Sequence, residues 1–199
     1  GAKDLDDALS LLTILYHHVP SVTSMPVYLG QLDALLQPYV RILTQEEINS
    51  RIKRFWRYLD RTLPDAFMHA NIGPEDTPVT RAILRADAEL KQVAPNLTFI
   101  YDPAITPDDL LLEVAKNICE CSKPHISNGP VNDKIFTKGR YGVVSCYNSL
   151  PLAGGGSTLV RLNLKAIAEH STSMEDFFSR ALPHYCQQQM AIIDARCDF

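Results

Sequence analysis

The sequence has no run of twenty consecutive apolar residues, no lysine–arginine block and no paired cysteine framework. The first absence excludes a helix long and apolar enough to span a membrane. The second argues against a nucleic-acid or membrane-surface role, which needs a basic patch, and the net charge is −4. The third follows from five cysteines, Cys119, Cys121, Cys146, Cys186 and Cys197, an odd number at irregular spacing. A disulfide scaffold is not expected, and a reducing, cytoplasmic compartment is the simpler reading. Internal repeats and low-complexity tracts are also missing. The first residues are acidic (Asp4, Asp6, Asp7) rather than basic and then apolar, so no signal peptide is expected.

What is present is an ordinary globular composition, 199 residues with 46% hydrophobic and 21% charged. That length supplies one domain with a real core, or two small ones. Residues 1–93 read as mainly helical. Leu5, Leu9, Leu12 and Leu15 or Tyr16 recur at helical spacing, and His17-His18-Val19-Pro20 is expected to end that run. Thr44-x-x-Glu47 is a capping box before an amphipathic helix with Ile48, Ile52, Phe55 or Trp56, Leu59 and Leu63 on one side. Pro64 should stop it. Asn71-Ile-Gly-Pro-Glu-Asp-Thr-Pro78 reads as a turn-rich connection, and 79–93 as another helix.

Residues 94–199 alternate. Leu97–Tyr101 is a short β-prone run. Thr106 is expected to cap a helix with Pro107 at its first position, running to about Cys119. A strand is expected near His125–Ser127, and two helices over about 164–170 and 174–194. Strands separated by helices predict an α/β fold: N-terminal helices, then alternating strands and helices in one partial catalytic domain.

The most informative stretch is Tyr141-Gly-Val-Val-Ser-Cys146-Tyr-Asn-Ser-Leu-Pro-Leu-Ala-Gly-Gly-Gly-Ser-Thr-Leu-Val-Arg-Leu-Asn163. It reads as strand, cysteine, tight loop, strand. Tyr141, Val143 and Val144 favour extended structure, as do Thr158, Leu159, Val160 and Leu162. Leu150-Pro151 and Gly154–Gly156 are expected to form the turn, with a second strand over 157–163. Cys146 thus stands at the end of a strand where the backbone reverses. That placement suits a thiol pushed into a protected cavity.

Two segments carry a family resemblance. Val27-Tyr-Leu-Gly-Gln-Leu-Asp-Ala-Leu-Leu-Gln-Pro-Tyr39, followed by Leu43-Thr-Gln-Glu-Glu47, is similar to a passage of the glycyl-radical enzymes, the group of pyruvate formate-lyase and anaerobic ribonucleotide reductase. Lys123-Pro-His-Ile-Ser-Asn128, Tyr141–Cys146 and Arg161-Leu-Asn-Leu-Lys165 resemble the family's strand before the cysteine loop, its approach to the radical cysteine, and the return into the next helix. Asn71–Pro78 and Ser122–Pro130 look closest to the YjjI-type branch. The chain resembles part of such an enzyme, and its ending at Cys197-Asp-Phe199 fits a fragment.

The resemblance implies a large α/β barrel around a cysteine finger loop, with Cys146 as the radical cysteine. It implies a small-molecule substrate, a radical S-adenosylmethionine activating enzyme as partner, and a homodimer at full length. The radical glycine would lie outside this chain, because none of its nine glycines has the expected setting. No metal or nucleotide cofactor is expected within it. Ser145 stands where pyruvate formate-lyase has a second cysteine, which counts against a two-cysteine acyl relay. Asn148 stands where the radical dehydratases place a Glu, and it cannot titrate. His125, Asn128 and Asn148 are candidate substrate-binding residues, each with a plain structural alternative.

Other readings stay open on the sequence alone. Cys146 can be a buried strand cysteine. Cys119-x-Cys121 and His184/Cys186 lack the further ligands a zinc site needs. Gly154-Gly-Gly-Ser157 lacks the Lys-Ser/Thr ending of a phosphate loop. The parent protein can be a lyase or a transferase similar to formate acetyltransferase, an anaerobic ribonucleotide-reductase-like protein, or a split enzyme with its glycine on another subunit. A non-catalytic α/β binding domain would keep the same layout.

Overall fold

The computed structural model describes residues 1–22, 27–62, 68–136, 140–144, 148–152 and 160–197. The chain divides into two compact units, Gly1–Ala153 and Gly154–Phe199.

The first unit opens with α1 (Leu5–Val22), followed by β1 (Val27–Gln31), α2 (Leu32–Leu36) and α3 (Gln45–Thr62). Next come β2 (Met68–Ile72), α4 (Pro78–Leu90), β3 (Asn96–Tyr101), α5 (Asp108–Cys121), β4 (His125–Asn128) and α6 (Gly129–Ile135). The four strands are parallel in the order β1-β2-β3-β4, so each lies beside the strand before it in sequence. Parallel neighbours require crossover connections, and the helices between the strands supply them. The fold is α/β.

The capping box forms as expected. Thr44 N donates to Glu47 Oε2 at 2.8 Å and Glu47 N donates to Thr44 Oγ1 at 3.3 Å. Behind it Ile48, Ile52, Phe55, Trp56 and Leu59 are buried. Leu63 and Pro64 lie outside the described residues. Side chains alternate across a strand, and this sheet separates its two faces by chemistry. Met68, Ala70 and Ile72 of β2 join Leu97 and Phe99 of β3 in the apolar core with the helices. Strand register places Tyr28, His69, Asn71, Thr98, Ile100 and His125 on the opposite face.

Several sequence expectations are corrected. Helix α1 continues to Val22 instead of ending at His17–Pro20. Asn71 and Ile72 belong to a strand, and all five residues of β2 are buried. Pairing on both sides overrides the weak strand propensity of Met-His-Ala-Asn-Ile. The turn starts at Gly73, whose φ is +79°. A Cβ there would stand 2.7 Å from the Phe99 ring and 2.8 Å from Ile100 O. Thr106 does not cap α5. The helix starts at Asp108 after Pro107, and Thr106 Oγ1 donates instead to Pro74 O at 3.0 Å.

After α6 come β5 (Tyr141–Val144) and β6 (Asn148–Pro151), an antiparallel pair with Val144 opposite Asn148. Leu150-Pro151 is therefore strand and not turn. Pro151 is tolerated because β6 is paired on one side only. The expected strand over 157–163 is not found at 160–163, which are neither helix nor strand. Gly154–Gly156 lie outside the described residues.

The second unit contains α7 (Leu164–Glu169) and a short turn Met174–Asp176 leading into a π-helical turn Phe177–Ala181, then α8 (Leu182–Cys197). Asn163 caps α7 through its side chain, accepting from Ala166 N at 3.1 Å. Ile167 and Ala181 are its buried apolar residues.

Candidate functional site

The candidate cysteine falls in sequence between two paired strands, β5 and β6, within Ser145-Cys146-Tyr147. Cys146 itself lies outside the described residues. What the structure gives is the frame that carries it.

Asn71 of β2 holds β5. Its Nδ2 donates to Val143 O at 3.0 Å, and Val143 N donates to its Oδ1 at 2.9 Å. The side-chain amide thus acts toward Val143 as a neighbouring strand would. Val143 needs such a partner. Leu152 N donates to Arg140 O at 2.9 Å, so bonded pairs of the hairpin fall at 140, 142 and 144. The alternation of antiparallel pairing then turns the Val143 amide groups away from β6. Tyr28 of β1 completes the contact, donating its hydroxyl to Asn71 Oδ1 at 2.8 Å. The Tyr28 ring lies on Gly142, where an added Cβ would come within 2.4 Å of it. Any larger residue at 142 displaces the ring or the strand.

The second strand is held as well. Ser149 Oγ donates to Asn132 Oδ1 at 2.9 Å, and Asn132 Nδ2 donates to Ser127 Oγ at 2.9 Å. The hairpin is therefore tied to the sheet through β2 on one strand and to α6 and β4 on the other.

A hollow of about 190 Å³ opens beside it, lined by Asn71, Ile100, Asp102, Gly129, Asp133 and Tyr141, among others. These residues come from the carboxyl ends of the strands, the loops that follow them, α6 and the hairpin. Ligands of parallel α/β sheets bind at that end. A larger hollow of about 400 Å³ lies next to it, shares Gln31 and Pro74, and reaches Asp33 and Arg41. It touches no described hairpin residue, whereas the smaller hollow reaches Tyr141 of β5.

Burial, and next the charge of Asp133, pushes the Tyr141 phenol above its ordinary pKa; Asp102 adds to this. Burial also raises Tyr28, with Tyr141 contributing. Both phenols stay protonated at neutral pH and can donate hydrogen bonds. Burial lowers the His69 imidazole and favours its neutral form. The Asp33 carboxyl is raised by burial, although Gly73 N (2.7 Å), Thr80 Oγ1 (2.7 Å) and Ala34 N (2.9 Å) all donate to it.

The candidate residues fall as follows. His125 shares a face with Thr98 and Asn71 by register and is exposed. Asn128 caps α6, with Oδ1 accepting from Val131 N at 3.1 Å. Asn148 opens β6 opposite Val144 and is exposed. Neither asparagine lines the hollow beside Tyr141. Cys119 is exposed, and Cys121 donates to Asn117 O at 3.2 Å, its thiol held protonated by burial and the nearby Asp87. Among the described residues no three His, Cys, Asp or Glu side chains cluster as metal ligands. Among them, too, no helix is long and apolar enough to cross a membrane.

Asn71, Tyr28, Asn132 and Tyr141 were not identified as site residues from the sequence. One signal was available. Met68-His-Ala-Asn-Ile72 alternates apolar and polar residues with the period of a strand, and a polar inner face on a central strand points to a site.

A family model described as "Glycyl radical enzyme YjjI-like" matches residues 1–199. The chain belongs to this family. It is 90% identical over 199 residues to protein YjjI of Escherichia coli (strain K12), covering 100% of this chain and 39% of that protein. It is 43% identical over 197 residues to a protein of Haemophilus influenzae (strain ATCC 51907 / DSM 11121 / KW20 / Rd), covering 99% of this chain and 38% of that one. The chain thus spans about two-fifths of the length of these YjjI-like relatives.

Proposed function

We propose that residues 1–199 supply the cysteine hairpin and one wall of the substrate chamber of a YjjI-like glycyl radical enzyme. Cys146 is the catalytic residue in this reading. Its neutral thiol gives a hydrogen atom to a glycyl radical carried outside these residues, which leaves a thiyl radical on sulfur. The sulfur then takes a hydrogen atom from a substrate carbon and returns one to the product, so the radical is conserved over a turnover. Such a thiol must stay protonated and away from water and oxygen. The buried, apolar Val143 on the strand that leads to it and the hollow beside Tyr141 are consistent with both conditions. A radical S-adenosylmethionine activating enzyme would install the radical, and the full-length protein would act as a lyase or transferase in a homodimer.

One observation carries this reading: the hairpin bearing Cys146 is anchored to the sheet through buried Asn71, next to the hollow at the carboxyl end of the strands. The lining residues on this side offer the carboxylates of Asp102 and Asp133 rather than Lys or Arg. This favours a substrate that presents hydroxyl or ammonium donors here.

The test needs no substrate. An α-hydrogen splits the resonance of a glycyl radical into a doublet, and a thiol exchanges its hydrogen with solvent. If Cys146 passes hydrogen to and from the glycine, D2O converts the doublet into a singlet. Full-length protein activated anaerobically should show this conversion, and Cys146→Ala should keep its doublet. Loss of the doublet at the same rate in both would overturn the assignment.

A further inference from the structure

We infer that Asn71 is a positioning residue for the cysteine: its side-chain amide, oriented by Tyr28, latches β5 and sets where Cys146 stands relative to the radical and the substrate. The inference rests on the proposed role of Cys146, while its structural half can be judged separately.

Position 71 has several features that a space-filling core residue would not need. Asn71 is 2% exposed and lies near the carboxyl end of β2, a strand paired on both sides. An aliphatic residue of the same size would pack there as well and would cost no polar desolvation. Instead both ends of the amide are used, on the N–H and the C=O of one residue. The donor and acceptor of an amide match that pair; an ionised carboxylate, which only accepts, matches half of it. Val143 is three residues before Cys146, so the latch acts on the strand leading into the cysteine.

Tyr28 limits the remaining freedom. Its hydroxyl takes the second lone pair of Asn71 Oδ1, which fixes the amide plane and decides which end faces Val143 N. Its ring rests on the bare backbone of Gly142 and stops the strand moving toward β1. The tie from Ser149 through Asn132 acts on β6, whereas Asn71 acts directly on the backbone of β5. The radical relay depends on a sulfur held at a fixed distance, and a misplacement of about 1 Å costs on the order of 100-fold.

Two readouts on the full-length protein test this. In amide hydrogen exchange without activation, Asn71→Leu should speed exchange in the peptide spanning 141–152 while β3 stays protected. After anaerobic activation, Asn71→Leu should form the glycyl doublet in near wild-type yield. Its conversion in D2O should be slower by about tenfold or more. Tyr28→Phe keeps the ring on Gly142 and should slow the conversion by about threefold. Should Asn71→Leu lose protection throughout the sheet, Tyr28→Phe decides. Wild-type exchange in 141–152, or wild-type conversion rates in the variants that fold, would overturn the inference. If Cys146→Ala itself converts at the wild-type rate, the role of the cysteine falls instead, and the amide-exchange result still judges the latch.

Discussion

The two ends of the parallel sheet each carry a buried polar network, and they are built to opposite plans. At the amino end Asp87 accepts from Lys123 Nζ at 2.8 Å, Trp56 Nε1 at 3.1 Å and Asn117 Nδ2 at 3.4 Å. Lys123 also donates to Pro95 O at 3.2 Å. Every partner there is a helix or the start of a strand, and none faces the hairpin. At the carboxyl end Tyr28 and Asn71 hold a hairpin instead of a helix, and the hollow begins beside them. The first network joins the layers of the fold. The second uses the same chemistry to place one short segment. Burial of polar groups alone therefore does not mark a site; what they hold does.

This contrast can be broken or sharpened by substitution in the full-length protein. The largest effect is expected from Asp87→Leu, which leaves the buried Lys123 ammonium without its counter-charge and should cost about 3–5 kcal/mol. Lys123→Met in the same chain should recover most of the loss. Urea unfolding measures both, and a cost below about 1 kcal/mol would deny the amino end its stabilising role. Trp56→Phe should cost about 1–2 kcal/mol, because it removes the indole donor to Asp87. Neither change should alter the rate at which the glycyl doublet converts in D2O. An altered rate would erase the distinction between the ends.

A smaller effect belongs to Asp33. Its folded-state pKa is raised above 3.8 by burial, so the folded protein holds that proton more tightly than the unfolded chain. Its contribution is most favourable below the unfolded value and is lost as pH rises through the raised one. The stability of wild type relative to Asp33→Asn should therefore grow as pH falls through that window. A flat difference in unfolding midpoints across it would contradict the assignment. The smallest effect on stability is expected from Asp133→Asn, within about 0.5 kcal/mol. That change should lower the Tyr141 phenol pKa, visible as an earlier tyrosinate absorbance step.

Much of the fold could be read from the sequence where local signals agree. Thr44-x-x-Glu47 marked the start of α3, and the periodic Ile48, Ile52 and Leu59 marked its buried face. Leu97–Tyr101 and His125–Ser127 were found as strands because β-prone runs stand between turn residues. The site was read only in part. Tyr141–Val144 was recognised, but its partner strand was placed at 157–163 because Pro151 looked like a turn residue; Pro is harmless on a strand with one free side. Asn71 was assigned to a turn because Gly73-Pro74 follows it closely. Its role depends on Val143, 72 residues later, and pattern within a short window carries no trace of such a contact.

The central claim is that the hairpin latched by Asn71 presents the Cys146 sulfur to the hollow at the carboxyl end of the sheet. An experimental structure of the full-length protein tests it most directly. We expect Cys146 Sγ to open into the space bounded by Asn71, Ile100, Asp133 and Tyr141. A sulfur on the outer surface, or enclosed by aliphatic side chains with no hollow beside it, would contradict the account.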